Sequence, residues 1–442
     1  MDTQLIYNKA ERIRDVLRYV SLFKNSLIVI HIDEDIINST LFSSHIHDIA
    51  YLHESGIKIV IVPGAKKSID TTLRSANISW HYEDNTRITE LSAIPLIKMA
   101  AFDVSNKIMT CLAQENLSAV IGNWVKARGK GVLNGIDFCT AGEIDSIDSK
   151  ALNSILNEGF IPIFPCIGWS STGKPYNISS ASLATEIAIK LNAKKLFFMS
   201  PYNNISNKDF ILPEDVAGED FVPSLNLYQL KSLLELNNNN ETVKSSLLAL
   251  LRLSDIACQN GVERCHIVDG FIDGSLPCEI FSDIGTGTMI YKDSYGGIRT
   301  ITKSDIAPIL NLMRPFIERQ ILLPRTEQNI LEHINDYIVY ELDGGIKACS
   351  ALHVLDETSA EIAAVAVDQS CSHMGIGPKM ISYLIERAKT MNMSQVFILT
   401  TQTADWFEKL GFVQTTLSEL PKIKQEKYDK KRQSKILKYV IT

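Results

Sequence analysis

The chain has 442 residues, of which 45% are hydrophobic, and a formal net charge of -7. This length exceeds one ordinary hydrophobic core and predicts two or three domains, while the acidic balance argues against nucleic acid as a partner. No apolar run approaches the roughly 20 residues that a membrane-spanning helix needs. The eight cysteines form no CxxC pair, so neither a disulfide framework nor a zinc site is indicated. We therefore expect a reduced, cytoplasmic protein with no membrane segment and no bound metal.

Residues 1–292 alternate between short apolar runs and helical patterns. Residues 5–20 have the spacing of an amphipathic helix. Six apolar runs are typical of buried parallel strands: 27–32, 57–62, 119–121, 161–164, 195–199 and 265–268. Helical patterns such as 181–191 and 243–258 lie between them. This alternation predicts an α/β domain whose parallel-rich sheet lies between helices.

The composition changes after Tyr291. Residues 293–300 include two glycines and show no periodicity, which predicts a linker. A helical pattern and a series of strand-like runs follow, at 305–317, 337–341, 347–354, 362–367 and 395–400. We therefore expect residues 301–442 to form a second, smaller domain of the α+β class.

A glycine turn lies at the centre of this second domain. The apolar run 362–367 leads to Gly375 and Gly377, and Pro378 then suits the start of a helix because no intrahelical partner awaits its N–H. Glycines let the backbone approach a ligand closely, and the unpaired N–H groups at a helix start attract anions. Strand, turn and helix together predict a pyrophosphate site.

The segment WFEKLGF (406–412), together with a strand ending near Thr401, makes this domain resemble the GCN5-related N-acetyltransferase family. The resemblance implies acetyl-CoA as co-substrate, with its pantetheine arm inserted between two splayed parallel strands. The backbone of Ala366 and Val367 would meet the arm. The implied pyrophosphate turn consists of Ser372, His373, Met374, Gly375, Ile376 and Gly377, in which Ser372 replaces the basic or amide residue usual in the family.

The same resemblance implies catalytic residues. Acetyl transfer needs a free amine, so a base or a water path must remove a proton, and Glu361 is the best-placed carboxylate. The family often uses a tyrosine to protonate the departing thiolate, but Phe407 stands at that position. Thr400, Thr401 or water would replace it, and we select Thr401.

Four further segments, LPRT (323–326), 360–367, 398–412 and 420–437, are similar in order and spacing to the bacterial N-acetylglutamate synthase family. The resemblance implies transfer of acetyl to the α-amino group of L-glutamate, the first step of arginine biosynthesis. Arg325 and Arg432 would bind the substrate carboxylates, since a guanidinium matches a carboxylate in geometry and charge. Ser434 and the backbone of Ala364 would complete the pocket.

The first domain resembles the amino-acid kinase family through the segments 62–70, 122–148, 176–199 and 279–290. A kinase of this fold uses a lysine and glycines to neutralise and cradle ATP phosphates. Here His31 replaces the lysine, and Asp33 and Glu34 replace a glycine pair. We therefore expect no phosphoryl transfer.

The resemblance also implies an effector site for L-arginine at Tyr19, His266, Glu279 and Gly285. Feedback inhibition by arginine is accordingly a hypothesis. Family membership further implies a homo-oligomer, a hexamer in related proteins.

Two other functions stay open from the sequence. The atypical Ser372 and Phe407 are compatible with an arginine-sensing or scaffold protein whose transferase has decayed. The third hypothesis is an acetyltransferase that acts on a different amino acid.

Overall fold

A computed structural model of the chain describes residues 13, 16–17, 19–21, 23–83, 85–201, 205–213, 216, 221–238, 240, 245–281, 286–292, 296–342, 345–369, 371 and 375–441. Of the predicted site residues, Ser372, His373, Met374 and Gly285 lie outside this set, as does most of the helix predicted at 5–20. The chain forms two compact units, Met1–Asp293 and Ser294–Thr442. No helix within the described ranges has the length and apolarity to cross a membrane.

The first unit contains sixteen strands within its described residues. They are β1 Leu27–Ile32, β2 Lys58–Pro63, β3 His81–Glu83, β4 Thr86–Ile88, β5 Ala119–Ile121, β6 Val125–Gly129, β7 Val132–Leu133, β8 Ile136–Asp137, β9 Gly142–Ile147, β10 Ile161–Ile163, β11 Ile167–Trp169, β12 Pro175–Asn177, β13 Lys195–Ser200, β14 Ser224–Asn226, β15 Arg264–Asp269 and β16 Thr288–Tyr291. The six apolar runs predicted as strands are confirmed, and all six belong to one sheet.

That sheet has eight strands in the order β14-β16-β15-β13-β1-β2-β10-β5. Its ladders are parallel except that between β15 and β16. Along β1, Ile28 and Ile30 pack into one hydrophobic core and Val29 into another on the opposite face. Because both faces are covered, the strand is apolar at every position except His31 rather than alternating. A second sheet, β12-β11-β6-β9, and two hairpins complete the strands.

Nine helices in the described part of this unit accompany the sheets. They are α1 Glu34–Ile37, α2 Phe42–Glu54, α3 Lys66–Ser75, α4 Ile94–Gln114, α5 Ser149–Asn157, α6 Ser180–Lys190, α7 Leu227–Leu236, α8 Ser245–Gln259 and α9 Ser275–Phe281. The helices predicted at 181–191 and 243–258 are therefore confirmed as α6 and α8. The Asn226 and Gln229 side chains form a capping box that starts α7.

The second unit is built on one seven-stranded sheet in the order β17-β18-β19-β20-β21-β23-β22. Its strands are β17 Gly296–Thr300, β18 Tyr337–Leu342, β19 Gly345–Val354, β20 Ser359–Val367, β21 Gln395–Thr400, β22 Val413–Thr415 and β23 Lys435–Val440. Its helices are α10 Ile306–Glu318, α11 Glu327–Glu332, α12 Ile376–Thr390, α13 Ala404–Lys409 and α14 Lys422–Glu426. Only β20 and β21 pair in parallel; the predicted α+β class is confirmed.

The linker predicted at 293–300 is wrong for residues 296–300, which form β17 and pair with β18 along its length. The glycines suggested a loop, but backbone pairing and ion pairs stabilise the strand instead. Arg299 lies 2.7 Å from an Asp305 carboxylate oxygen and 2.5 Å from one of Glu341. Asp305 and Glu341 lie outside residues 293–300, so the composition of that stretch gives no sign of these ion pairs.

Helix α12 begins at Ile376, two residues before the predicted start at Pro378. Gly375 is its N-cap, with a left-handed φ of 62°. Pro378 still lies in the first turn, where N–H groups have no intrahelical acceptor. The proline therefore marks the first turn rather than the first residue.

Candidate active site

Strands β20 and β21 separate in the middle of the second sheet. Their parallel register runs from Ser359–Gln395 to Ile362–Ile398 and ends there. Beyond that point β20 continues to Val367, while the end of β21 pairs with β23. The divergence leaves one edge of β20 facing a gap, as the sequence predicted for the entry of a pantetheine arm.

A β-bulge lies where β20 leaves β21. Between the pairs Cys349–Ala366 and Ala351–Ala363, β19 contributes one residue and β20 contributes two. Ala364 has a φ of 55°, a left-handed conformation that costs an L-residue roughly 1–2 kcal/mol. The bulge changes the direction of the β20 backbone beside the gap. Ala364, with its strained positive φ, lies within the bulge.

The ladder between β19 and β20 decides which backbone groups face the gap. The Asp368 N–H donates to the Lys347 carbonyl at 2.8 Å, so Ala366 is also in the hydrogen-bonded register with β19. Val367, one residue on, directs its N–H and carbonyl to the other side. Of the two strand positions predicted to meet the arm, Val367 is the one whose polar backbone groups face the gap.

The glycine turn meets helix α13 across a tight contact. A Cβ on Gly377 would lie 3.0 Å from Cζ2 of Trp406 and 3.8 Å from Cγ2 of Val367. Gly377 is therefore required by close packing, whereas Gly375 is required by its positive φ. The Ile376 side chain is buried in the core, which leaves only its backbone for a ligand.

Glu361 is buried at the start of β20, with 6% of its surface exposed. One of its carboxylate oxygens accepts a hydrogen bond from the Lys424 ammonium at 2.6 Å. Sequence analysis missed Lys424, because residues 361 and 424 are brought together only by the fold and lie on elements with no common spacing rule. The base candidate thus has a cationic partner on α14.

His353 lies opposite Glu361 in the β19–β20 register. Its Nδ1 is 2.7 Å from an Asp336 carboxylate oxygen. Burial lowers the pKa of His353, although the hydrogen bond with Asp336 and the charge of Glu361 oppose the shift. A polar row from Asp336 through His353 and Glu361 to Lys424 therefore crosses this face of the sheet.

The two threonines at the end of β21 have different surroundings. Thr400 Oγ1 lies 2.8 Å from Thr403 Oγ1 and accepts from the Thr403 N–H at 3.2 Å. Thr401 Oγ1 is buried and has no hydrogen-bond partner within the described part of the chain. Phe407 packs in the core, with its ring centroid 4.7 Å from that of Trp406. Thr401 therefore has the hydroxyl that a ligand could engage.

The three side chains predicted to bind glutamate, those of Arg325, Arg432 and Ser434, lie on loops, whereas Ala364 lies in β20. The Arg325 guanidinium carbon is 5.7 Å from the centre of the Tyr337 ring, and burial raises the pKa of Tyr337 to about 12. Arg432 donates to the carbonyls of Gln320 and Ile321, so it ties the C-terminal segment to the loop after α10. The Ser434 carbonyl oxygen accepts a hydrogen bond from the Tyr428 hydroxyl at 2.8 Å.

In the first unit, a protein carboxylate occupies the anion position at the start of α3. Glu34 is buried and accepts from the N–H groups of Lys67 at 2.5 Å and Ser68 at 2.7 Å. Asp33 accepts from the Asp35 N–H at 2.9 Å and so caps α1. Burial lowers the pKa of His31 to about 4, which keeps this side chain neutral. The α3 N–H groups that would receive a nucleotide phosphate are therefore already hydrogen-bonded to the Glu34 carboxylate.

The structure brings two of the predicted effector residues together. His266 Nδ1 is 2.8 Å from one Glu279 oxygen, and the other oxygen accepts from the backbone N–H groups of Thr286 and Gly287. Burial alone would raise the pKa of Glu279, but the hydrogen bond and charge of His266 lower it overall. Burial lowers the pKa of His266 to about 4.

Tyr19 approaches the same region through an aromatic contact. Its ring stacks on Phe23 with centroids 6.1 Å apart, and the Lys195 ammonium lies 4.3 Å from the centre of the Phe23 ring. Lys195 acts electrostatically on both His266 and Glu279. Phe23 and Lys195 therefore connect Tyr19 to the buried pair of His266 and Glu279.

Comparison with known proteins assigns both units to families. Residues 26–269 match the amino acid kinase family, and residues 333–414 match the acetyltransferase (GNAT) domain. An amino-acid acetyltransferase of Shewanella oneidensis is 32% identical over 95% of this chain and 94% of its own. The amino-acid acetyltransferase of Escherichia coli K12 is 31% identical over 97% of both chains.

Solved structures cover nearly the whole chain. The crystal structure of N-acetylglutamate synthase from Neisseria gonorrhoeae complexed with coenzyme A and L-arginine has a TM-score of 0.81 at 28% identity. It covers 98% of this chain and 99% of its own. A second structure from that organism, complexed with coenzyme A and N-acetyl-glutamate, has a TM-score of 0.61 at the same identity and coverage.

Proposed function

The chain belongs to the amino-acid acetyltransferase family, whose members use acetyl-CoA, and from this premise we propose that it acetylates the α-amino group of L-glutamate. The products are N-acetyl-L-glutamate and CoA, and the reaction is the first step of arginine biosynthesis. We place the enzyme in the cytoplasm as a homo-oligomer. The observation that carries the proposal is the gap beside β20, which has the bulge at Ala364 on one side and the buried Glu361 at its entrance.

The proposed chemistry begins with the amine. Glu361, directly or through one water, accepts a proton from the glutamate ammonium group. The free amine attacks the thioester carbonyl carbon, and the oxygen becomes an oxyanion beside the β20 backbone, where Val367 presents its N–H. The C–S bond then breaks. The departing thiolate takes a proton from the Thr401 hydroxyl or from water, and the second amine proton passes from the new amide nitrogen to that same oxygen, which restores it. Glu361 then releases the first amine proton to solvent.

Lys424 is proposed as a positioning residue for Glu361. A buried carboxylate needs a partner, because removing an isolated charge from water is costly. The 2.6 Å contact with the Lys424 ammonium supplies that partner and fixes the orientation of the carboxylate. The second oxygen of Glu361 is the one we assign to the amine proton.

Substrate recognition is assigned to two guanidinium groups. Arg325, half-buried over Tyr337, would bind one carboxylate of glutamate. Arg432 uses one nitrogen for the carbonyls of Gln320 and Ile321, and its remaining N–H groups are assigned to the other carboxylate. Ser434 and the Ala364 backbone border the pocket in this proposal.

The decisive assay is acetyl-CoA turnover with L-glutamate, compared with glutamine, aspartate and lysine. We expect glutamate to have the highest kcat/KM, because only it presents two carboxylates at the required separation. Arg325→Ala and Arg432→Ala should each raise the glutamate KM about 10- to 150-fold, since a charge-assisted hydrogen bond contributes roughly 1.5–3 kcal/mol.

Lys430→Ala, which removes an exposed cation from the same basic segment, is the matched control and should leave KM unchanged. An unchanged glutamate KM in both arginine variants would refute the pocket. CoA release at the background rate from a folded protein would instead favour an arginine sensor.

We further propose that L-arginine binds the first unit beside His266, Glu279 and Tyr19, and inhibits turnover. Glu279 is the carboxylate that would pair with the ligand guanidinium. Calorimetric titration of the full chain with arginine tests this site, and Glu279→Gln should abolish the heat of binding. Arginine binding to the variant with unchanged affinity would exclude the assignment.

A further inference from the structure

Three metal-ligating side chains converge next to the polar row of the second unit. His333 Nδ1 lies 3.4 Å from an oxygen of Asp336, and His353 Nδ1 lies 2.7 Å from the same oxygen. The three ligand atoms all lie within 4.8 Å of one another. This histidine–aspartate–histidine cluster, His333, Asp336 and His353, has no part in the acetyl transfer proposed above.

The fold presents the cluster at the ends of two neighbouring strands, where β18 starts and β19 finishes. His333 caps a single 3-10 turn, Ile334–Asp336, whose last residue is Asp336 and which leads directly into β18. His353 projects from β19 and packs edge-on against Tyr337, with ring centroids 5.9 Å apart. Sequence analysis expected no metal because it sought paired cysteines, and the third member of this cluster comes from another strand.

The donor set fits a divalent ion of the zinc class. Two imidazoles and one carboxylate are a common set for Zn²⁺, with metal–ligand distances of about 2.0–2.2 Å. Those distances place neighbouring tetrahedral ligands about 3.4 Å apart, which is the separation between His333 and Asp336. The contact between His353 and Asp336 has to open by about 0.7 Å, because the metal replaces the shared proton.

The side chains of His333, Asp336 and His353 differ in their exposure to solvent. The side chains of His353 and Asp336 are 18% and 29% exposed, and that of His333 is 60% exposed. The hydrogen bond between His353 and Asp336 does not need His333. The exposed His333 leaves the cluster open to solvent, so a metal can reach it from that side.

We propose that His333, Asp336 and His353 bind a divalent transition metal of the zinc class. The site lies beside the polar row described above, since His353 is paired with Glu361 in the strand register. None of its three residues has a role in the acetyl transfer proposed above.

Titration of the metal-free full chain with Co²⁺, followed by visible absorption, tests the site without using activity. We expect one equivalent to bind with the intense spectrum of four-coordinate Co²⁺, and Zn²⁺ to displace it while Mg²⁺ does not. His333→Ala should weaken binding at least ten-fold. The matched control is His47→Ala, since His47 is also exposed and lies 3.0 Å from a carboxylate of Glu115.

A spectrum that His333→Ala leaves unchanged would overturn the site, as would the absence of bound Co²⁺. The Co²⁺ spectrum does not depend on acetyl transfer, so it decides the site whether or not the enzyme acetylates glutamate.

Discussion

The two units contain the same local device, a helix start that follows a buried strand, and they use it in opposite ways. In the first unit, the N–H groups of Lys67 and Ser68 at the start of α3 donate to the carboxylate of Glu34. In the second unit, α12 begins after a left-handed Gly375, and Gly377 in its first turn packs closely against Trp406. The first helix start is filled by the protein, and the second is the one that we propose receives the pyrophosphate of CoA.

The comparison shows how an anion site becomes structural. A helix start attracts a negative charge whatever its source. Once Glu34 supplies that charge from within the fold, an external phosphate has to displace a buried and hydrogen-bonded carboxylate.

The largest expected effect concerns the chemistry beside the second device. Glu361→Gln keeps the shape of the side chain but removes the base, so kcat should fall about 10²- to 10⁴-fold. Steady-state CoA release measures it. Glu357→Gln, an exposed carboxylate in the turn before β20, is the control. A kcat within two-fold of wild type in Glu361→Gln would mean that a different group removes the amine proton.

The next largest effect is expected when the Glu34 carboxylate is removed from the start of α3. Glu34→Ala leaves the α3 N–H groups buried without their acceptor, which should lower the free energy of unfolding by about 1–3 kcal/mol. Urea unfolding followed by circular dichroism measures this. Asp35→Ala breaks only a partly exposed pair with Lys67, and we expect it to cost less than about 1 kcal/mol. Equal stability of both variants would contradict the structural role of Glu34.

A smaller effect is expected at the second device. Gly375→Ala places a side chain at a φ of 62° and should cost roughly 1–2 kcal/mol. We also expect the acetyl-CoA KM to rise several-fold as the turn shifts. Gly131→Ala, at a φ of 69° with equally open space, is the matched control in the other unit. It should lose similar stability with no change in KM, and a raised KM there would remove the link to the turn.

The smallest effect concerns pH. Burial lowers the pKa of His31 to about 4, below the value of about 6.5 in the unfolded chain. The unfolded state therefore binds more protons as pH falls from about 6.5 towards 4, and stability decreases over that window. Between pH 7 and 6 the loss attributable to His31 should be below about 1 kcal/mol.

His31→Gln should flatten this pH dependence, while substitution of the exposed His81 by Gln should not. Urea unfolding at several pH values measures the slope. An identical slope in wild type and His31→Gln would contradict a neutral buried His31.

Local pattern was sufficient for much of the fold. The apolar runs around β1, β2 and β13 were readable because a strand buried on both faces must be continuously hydrophobic. The glycine turn was readable because glycine has few other reasons to occur before a helix. By contrast, β17 was mistaken for a linker, since its stability comes from Arg299 and partners more than five residues away.

Site residues could be predicted from the sequence only where the type of a single residue indicates its role. Lys424 could not be predicted, because its role depends on a contact with a residue 63 positions earlier. The bulge could not be predicted, because alanine seldom adopts the left-handed conformation of Ala364 and its residue type therefore gave no indication. His333, Asp336 and His353 were missed because their proximity is created by a turn and a strand pairing.

The close contact between Gly377 and Trp406 has an optical consequence. The chain has four tryptophans, and Trp406 is the one located after residue 293. Its indole ring lies against the first turn of α12, next to the end of β20. In the site that we propose, the pyrophosphate of CoA occupies that turn and changes the electric field at the indole, so we expect the emission of Trp406 to report cofactor binding.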